Sequence, residues 1–151
     1  TTPEHVSGIE AACRAAGLTV RRLSEVERGS PAQTVVIIDR VGILADVYGI
    51  ADLTYVGGAF QGTGVHSVVE PAALGKPVII GPRHQNAAEA QELIDAGGAI
   101  SISEKNTLRT ALLDLRENVQ RRERAAIAAQ AYVQNKLGAA DANAQLLLSY
   151  L

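Results

Sequence analysis

The chain lacks tryptophan and methionine altogether, and aromatic residues occupy only 3% of its 151 positions. Its hydrophobic core therefore has to be built from Val, Ile, Leu and Ala, a composition that suits parallel strands buried between helices. A large excess of charge is also lacking, since 14 Lys and Arg against 16 Asp and Glu leave a formal net charge of -2. Because a nucleic-acid-binding domain needs a clear basic excess to contact phosphates, we expect no nucleic-acid partner.

Cysteine is nearly absent as well: Cys13 stands alone, which excludes an internal disulfide and a cysteine-rich metal cluster. No apolar run approaches the ~20 residues that span a bilayer, and the polar start Thr1–His5 is unlike a signal peptide. Length and composition therefore predict one soluble domain that is large enough to bury a hydrophobic core.

Apolar segments of strand length alternate with segments of helical periodicity along the whole chain. Leu108, Leu112, Leu115 and Val119 recur at helical spacing, which predicts one long helix that ends near Leu137. The order predicts an α/β fold, a Rossmann-like, doubly wound parallel sheet with helices on both faces. The predicted strands are 18–23, 34–38, 53–56, 77–80 and 99–102, and the other predicted helices are 3–16, 41–51, 67–74, 86–96 and 141–151.

The most informative stretch is Val56–Phe60 followed by Gly64–Pro82. It predicts a strand, a glycine-rich loop, a short helix that carries His66 and Glu70 on one face, and a second buried strand. Glycines let backbone N–H groups approach a ligand closely, and a helix N-terminus favours an anion such as phosphate. A carboxylate one turn further on is placed to accept hydrogen bonds from sugar hydroxyls. Phosphate with ribose predicts a nucleotide-sugar site.

Ligands of open parallel sheets bind beyond the carboxyl ends of the strands. Asp39, Gly57–Gly58, Gly62–His66 and Gly81–Asn86 all follow predicted strands. We therefore expect these four segments to converge on one cleft.

These residues resemble a known family. Gly57–Gly58, the run Gly64–Val78, and Gly81–Pro82 with Asn86 and Glu89 are similar to the C-terminal domain of the 3-deoxy-D-manno-octulosonic acid (Kdo) transferases of lipopolysaccharide synthesis. Weaker similarity extends on both sides, through Asp39–Leu44, Tyr48, Ala51–Asp52 and Gly138–Ala139. The resemblance covers nearly the whole chain and is most specific at its centre.

The resemblance implies a fold and an activity. These enzymes have the GT-B fold and transfer Kdo from CMP-Kdo to a lipid A precursor, with inversion and without a metal or any other cofactor. Residues 1–151 would be the donor-binding domain, truncated at its N-terminal side, and the absent domain would supply the acceptor site and the carboxylate base. This chain alone would then be inactive, its incomplete half-sheet would expose an edge, and only the parent enzyme would contact the cytoplasmic face of the inner membrane.

The resemblance also implies roles for individual residues. Backbone amides from Gly62 to Ser67, assisted by the His66 side chain, would hold the leaving phosphate, and Glu70 would accept the ribose hydroxyls. Asn86 and Glu89 would line the opposite wall, and Gly42 would let the backbone pass close to the cytosine or the phosphate. The predicted donor-binding residues are Gly42, Gly58, Gly62, Gly64, His66, Ser67, Glu70, Asn86 and Glu89.

Structural alternatives stand beside several of these roles. His66 or Asn86 could cap a helix, and Glu89 could complete a capping box with Asn86. Arg83 and His84 are expected in an exposed loop, where Arg83 could meet a phosphate. The stretch 116–124 is expected to form a solvated helix face, with anionic lipid as the alternative partner of its arginines.

This chain departs from the family pattern at four places. Ser67 replaces an asparagine, Ile43 replaces an acidic residue, Ala87 replaces an aromatic residue, and Thr1–Thr2 replace an Arg-His pair. Two other functions therefore stay open. One is a GT-B enzyme that uses a UDP-sugar, such as a MurG-like transferase or a UDP-sugar epimerase, and the other is a non-catalytic module that has lost donor binding.

Overall fold

The computed structural model describes residues 2–28, 30–60, 64–138 and 148. The predicted donor residue Gly62 and, except for Leu148, the predicted final helix 141–151 lie outside the described residues. The helices are α1 (Pro3–Ala15), α2 (Leu44–Ile50), α3 (Val69–Ala73), α4 (Ala88–Asp95), α5 (Lys105–Glu117) and α6 (Val119–Lys136), and the strands are β1 (Val20–Arg22), β2 (Val35–Ile37), β3 (Thr54–Val56), β4 (Val78–Ile80) and β5 (Ala99–Ser101).

The chain divides into two compact units, residues 1–44 and 45–151. In the first unit, β1 and β2 pair in parallel, with Val20 opposite Val35. Helix α1 begins with Pro3 in its first turn, where the missing N–H costs nothing, and the Thr2 hydroxyl accepts from the His5 N–H. Glu10 of α1 forms an ion pair with Arg22 of β1 at 2.7 Å, which ties this helix to its strand.

The second unit contains the sheet that positions the candidate site. Its strands lie in the order β3-β4-β5 and are all parallel, with Val56 opposite Ile80 and Val78 opposite Ala99. Every residue of β4 is fully buried. A central strand with no exposed face is the expected product of the continuous apolar run Val78–Ile80.

Helices cover both faces of this sheet. Val78 and Ile80 of β4 belong to a core cluster with Leu93 of α4 and Ala129 of α6, whereas Ile79 packs on the other face with Leu115 of α5. This alternation of neighbours follows from the two-residue period of a strand. The predicted α/β fold with parallel strands and helices on both faces is therefore confirmed.

The prediction of one long helix after β5 is wrong. Helix α5 ends at Glu117, and Asn118 begins α6 by accepting the Arg121 backbone N–H at 3.0 Å. The Arg122 guanidinium closes the end of α5 by donating to the carbonyls of Leu115 and Arg116. The periodicity continued to Val119, but that side chain is 48% exposed because the chain turns at Asn118.

The remaining strands and helices are shorter than predicted, and each strand has three residues. A short 3₁₀ helix, Leu23–Glu25, begins at the last residue of the first predicted strand, Leu23. Among the described residues, no helix combines the length and apolar character needed to cross a membrane.

Candidate functional site

Two loops begin side by side at the carboxyl edge of the β3-β4-β5 sheet. β3 ends at Val56, opposite Ile80 at the end of β4, so Gly57 and Gly81 leave the sheet next to each other. Parallel neighbours place their carboxyl ends on one edge, which is where open α/β sheets bind ligands. The sequence predicted this juxtaposition.

The loop after β3 folds back on its own start. The His66 backbone N–H donates to the Gly57 carbonyl at 3.3 Å. Gly58 has a φ of +92°, and a Cβ there would overlap the Gly64 carbonyl oxygen and lie 3.1 Å from His66 Cδ2. Only glycine combines that dihedral with such close approach, so Gly58 shapes the loop.

The loop between β3 and α3, of which the structure describes residues 57–60 and 64–68, is called the glycine loop below. The loop after β4 is hydrogen-bonded to it at two places. At one end, the Arg83 backbone N–H donates to the Ala59 carbonyl at 3.0 Å. At the other, Asn86 Oδ1 accepts from the Val65 backbone N–H at 3.3 Å. Gly64, with a φ of +80°, lies so close to the Asn86 amide that a Cβ would overlap it. The two predicted walls of the site, Gly64 and Asn86, are therefore in direct contact.

Asn86 does not cap helix α4. The N-cap is Ala87, which makes no side-chain capping bond, and the helix begins one residue later. The capping-box alternative for Asn86 and Glu89 is therefore wrong, because the Asn86 side chain is engaged with Val65 instead. Glu89 is exposed in the first turn of α4.

The prediction that His66 and Glu70 share one helical face is also wrong. Helix α3 begins at Val69, so His66 and Ser67 precede it as exposed loop residues. Pro71 explains the short helix, since proline is tolerated only near a helix start. Glu70 is exposed in the first turn. It nevertheless follows the glycine loop by a few residues, as the sequence predicted.

Tyr48 belongs to the electrostatic surroundings of Glu70. Burial, and then the negative charge of Glu70, raise the pKa of the Tyr48 hydroxyl. Lys76 donates from Nζ to the Gly49 carbonyl at 3.0 Å, which joins α2 to the turn after α3. The end of α2 therefore contacts the segment that follows α3 through this bond.

His84 is buried, although the sequence suggested an exposed loop. It is 8% exposed, with Nδ1 at 3.1 Å from the Gly81 carbonyl and Nε2 at 3.3 Å from Gln91 Oε1. The sequence did not predict this burial, because His84 lies between two polar residues, Arg83 and Gln85. Arg83 is exposed, as predicted.

Gly42 and Asp39 lie in the unit formed by residues 1–44. Gly42 is exposed with a φ of +86°. The Asp39 carboxylate accepts from both the Ser24 backbone N–H, at 3.0 Å, and the Ser24 hydroxyl. These bonds, led by the one from the hydroxyl, lower the pKa of Asp39. Their convergence with the glycine loop stays a prediction.

The described groups at this loop are backbone amides and exposed polar side chains. Two amides of the predicted phosphate cradle, Val65 and His66, already donate within the protein. Gly64 and Ser67 are the other described residues of that predicted cradle. The exposed side chains of His66, Ser67 and Glu70 stand beside them. No group of three His, Cys, Asp or Glu able to hold a metal is found among the described residues.

Several surface grooves lie away from this edge. One is lined by residues of the β5 start and α6, and another by α5 and the segment Ala51–Leu53. We place the candidate site at the glycine loop because there the strand ends, the positive-φ glycines and the acidic side chain come together.

The chain resembles known transferases in sequence. It is 32% identical over 139 residues to the 3-deoxy-D-manno-octulosonic acid transferase of Bordetella pertussis, an alignment that covers 91% of this chain and 32% of that protein. It is 34% identical over 82 residues to the transferase of the same name from Aquifex aeolicus, covering 54% of this chain and 23% of that protein. The chain thus spans about a third or less of these relatives. No protein-family model matches it.

A solved structure shares its fold. The crystal structure of the C-terminal CMP-Kdo binding domain of WaaA from Acinetobacter baumannii superposes with a TM-score of 0.76 at 23% identity, covering 88% of this chain and 70% of that one. The chain therefore has the fold of that C-terminal domain, with parallel strands between helices. In sequence and in fold it is similar to the C-terminal part of Kdo transferases.

Proposed function

We propose that this chain is the donor-binding domain of an enzyme that transfers Kdo from CMP-Kdo to a lipid A precursor in lipopolysaccharide synthesis. The observation that carries the proposal is the glycine loop after β3. Arg83 and Asn86 hydrogen-bond to it, and the exposed Glu70 follows it. The names of the relatives and of the superposed domain support the choice of donor.

The phosphate of the donor would bind at the turn between the glycine loop and α3. The Gly64 and Ser67 amides, with the exposed His66 side chain, are proposed to donate to it. Fixed donors of this kind stabilise the negative charge that grows on a leaving phosphate, and they need no rearrangement as the bond breaks. Gly62 is proposed to contribute from the same loop.

Glu70 would accept the ribose hydroxyls. Its side chain is exposed three residues after Ser67, so it can face a nucleotide whose phosphate binds at the loop. Hydrogen bonds from hydroxyls to a carboxylate are charge-assisted, which gives each one more strength than a neutral bond. Asn86 and Glu89 would form the other wall.

The proposed transfer needs groups beyond those described for this chain. The acceptor site and the carboxylate base are proposed to lie on a second domain, without a metal, and the parent enzyme is proposed to act at the cytoplasmic face of the bacterial inner membrane. The part played by this domain is to bind the donor and to accommodate the charge of the departing CMP.

Calorimetric titration with CMP, UMP and UDP tests the proposal. The chain is compared with a Glu70→Gln variant, which keeps the size of the side chain but removes its charge. Glu123→Gln, on the exposed surface of α6, is the matched control for charge loss. We expect CMP to bind best, Glu70→Gln to weaken it about tenfold, and Glu123→Gln to leave it unchanged, since a bond to a charged group contributes about 1.5–3 kcal/mol.

The alternatives give different results. Preference for UDP would assign the site to a UDP-sugar enzyme of the GT-B class. If this chain binds none of the three nucleotides, the titration is repeated with a longer protein that contains it. The reason is that the relatives are about three times as long as the aligned region. Failure there as well would favour a module that has lost donor binding, as the departures at Ser67, Ile43 and Ala87 allow.

A further inference from the structure

His84 is a buried polar residue to which the proposed donor contacts assign no role. It lies in the middle of the loop 81–87, between the exposed residues Arg83 and Gln85, yet it is only 8% exposed. The Gly81 carbonyl can only accept, so the Nδ1 atom, 3.1 Å away, carries the hydrogen. This bond closes the first half of the loop.

The other ring nitrogen lies against α4. His84 Nε2 is 3.3 Å from Gln91 Oε1, and Gln91 Nε2 donates to Asp95 Oδ1 at 2.9 Å. The Asp95 carboxylate accepts only, so the Gln91 amide turns its oxygen towards the ring, and that oxygen accepts only as well. A neutral imidazole that donates from Nδ1 to Gly81 has no hydrogen on Nε2, so the Gly81 bond is the one that holds the ring in the loop.

The residues on both sides of His84 make the two contacts that hold the glycine loop. Arg83, immediately before it, donates its backbone N–H to Ala59, and Asn86, two residues after it, accepts from Val65. The His84 carbonyl also accepts from the Ala87 N–H at 3.0 Å, which closes the second half of the loop. The imidazole thus lies between the two residues, Arg83 and Asn86, that hydrogen-bond to Ala59 and Val65 of the glycine loop.

We propose that His84 is a positioning residue that fixes the loop 81–87 so that Arg83 and Asn86 hold both ends of the glycine loop in the shape that binds the donor phosphate. Its role in donor binding depends on the function proposed above. Its effect on the Val65–Asn86 bond does not, so the two can be tested separately.

The side-chain geometry provides a pair of diagnostic variants. In asparagine, Nδ2 is attached to Cγ just as Nδ1 is in histidine, so His84→Asn keeps a donor for Gly81. His84→Leu fills similar space with no donor. Gln85→Ala is the control, because it removes an exposed side-chain bond to Pro82 from the same loop.

Hydrogen exchange of the Val65 amide, measured by NMR on the 151-residue chain without ligand, is the primary readout. We expect His84→Leu to speed that exchange about threefold to tenfold, the effect of losing one bond of about 0.5–1.5 kcal/mol. His84→Asn should stay within about twofold of the original chain, and so should Gln85→Ala. Amides of β4 report whether the fold itself is intact.

CMP titration of the same variants is the second readout. His84→Leu should weaken CMP binding by the same factor, with rescue in His84→Asn. Should CMP bind neither this chain nor the longer protein, the proposed function fails while the Val65 exchange still decides the role of His84.

Equal Val65 exchange in His84→Leu and His84→Asn, with β4 protection retained, would overturn the proposal. If His84→Leu does not fold, His84→Gln takes its place, since glutamine keeps a polar group but moves its donor to the position of Nε2. Slow Val65 exchange in that variant would overturn the proposal as well, and fast exchange would support it.

Discussion

Asn86 accepts a hydrogen bond from the Val65 backbone N–H through its Oδ1 atom at 3.3 Å, across 21 residues of sequence. The bond joins the loop after β4 to the glycine loop after β3. It also uses one of the amides that a phosphate cradle would otherwise offer, so Asn86 shapes the site by holding the backbone.

Asn86→Ala and Asn86→Asp separate this structural role from a direct contact with the donor. Alanine removes the acceptor, and we expect it to lower the free energy of unfolding by about 1 kcal/mol and to weaken CMP binding. Aspartate keeps an acceptor for Val65 but adds negative charge beside the proposed phosphate. It should retain stability and still lose CMP affinity, as urea unfolding and calorimetry would reveal. Unchanged CMP affinity in the aspartate variant would place the phosphate elsewhere.

Gly64→Ala should destabilise the chain more than Gly97→Ala. The two glycines have nearly the same dihedral, φ +80° and +82°, so an alanine at either site bears a similar strain of about 1–2 kcal/mol. At Gly97 nothing lies within 4 Å of the added Cβ, whereas at Gly64 it overlaps the Asn86 amide. We expect an additional loss of at least about 1 kcal/mol for Gly64→Ala in urea unfolding. Equal losses would mean that the glycine loop and Asn86 separate easily.

Glu70→Gln should lower the pKa of the Tyr48 hydroxyl. Burial and the charge of Glu70 both raise that pKa above its ordinary value of 10.0, so removing the charge leaves only the effect of burial. NMR titration of ¹³C-labelled tyrosine measures the shift, and Tyr132 serves as an internal control. A Tyr48 pKa that does not move would show that Glu70 points away from α2.

Tyr132 should make the stability of the chain fall at alkaline pH. Its hydroxyl donates to Glu92 Oε2 at 2.7 Å, and burial followed by this bond raises its pKa to about 12 from 10.0. The folded state therefore binds the proton more tightly than the unfolded state. That stabilisation is complete below pH 10 and is lost as the pH rises towards 12.

Urea unfolding at about pH 9 and about pH 11 measures the effect of this proton. Lys136 also pairs with Glu92, at 2.8 Å, so the useful comparison is with Tyr132→Phe, which leaves that ion pair in place. The phenylalanine variant should lose less stability between the two pH values than the original chain. An equal loss would show that the alkaline effect does not depend on the Tyr132 proton.

Much of this fold was predictable because its signals are local. The apolar run Val78–Ile80 has the length and composition of a strand buried on both faces, and β4 is buried throughout. The glycines at 57 and 58 marked the end of β3 correctly. Helix α1 was predicted within a residue, because Pro3 and Gly17 mark its two ends.

The errors occurred where a boundary depends on more than periodicity. The stripe from Leu108 to Val119 continued across Asn118, although that residue ends one helix and begins the next. His66 has the spacing of a helical residue, but its backbone N–H is used by Gly57, which holds it in the loop. Such choices depend on which hydrogen-bond partner is near in space.

The sequence by itself determined the alternation of strands and helices as far as β5, the position of the glycine loop, the acidic residue that follows it, and the resemblance to the Kdo transferases. These depend on residue types and on short spacings, which act through local backbone preferences. Only the tertiary structure decided that Asn86 holds Val65 instead of capping α4, and that His84 is buried between Gly81 and Gln91. A polar side chain takes the partner that the packed loops bring within about 3 Å, and no local spacing specifies which loops will meet.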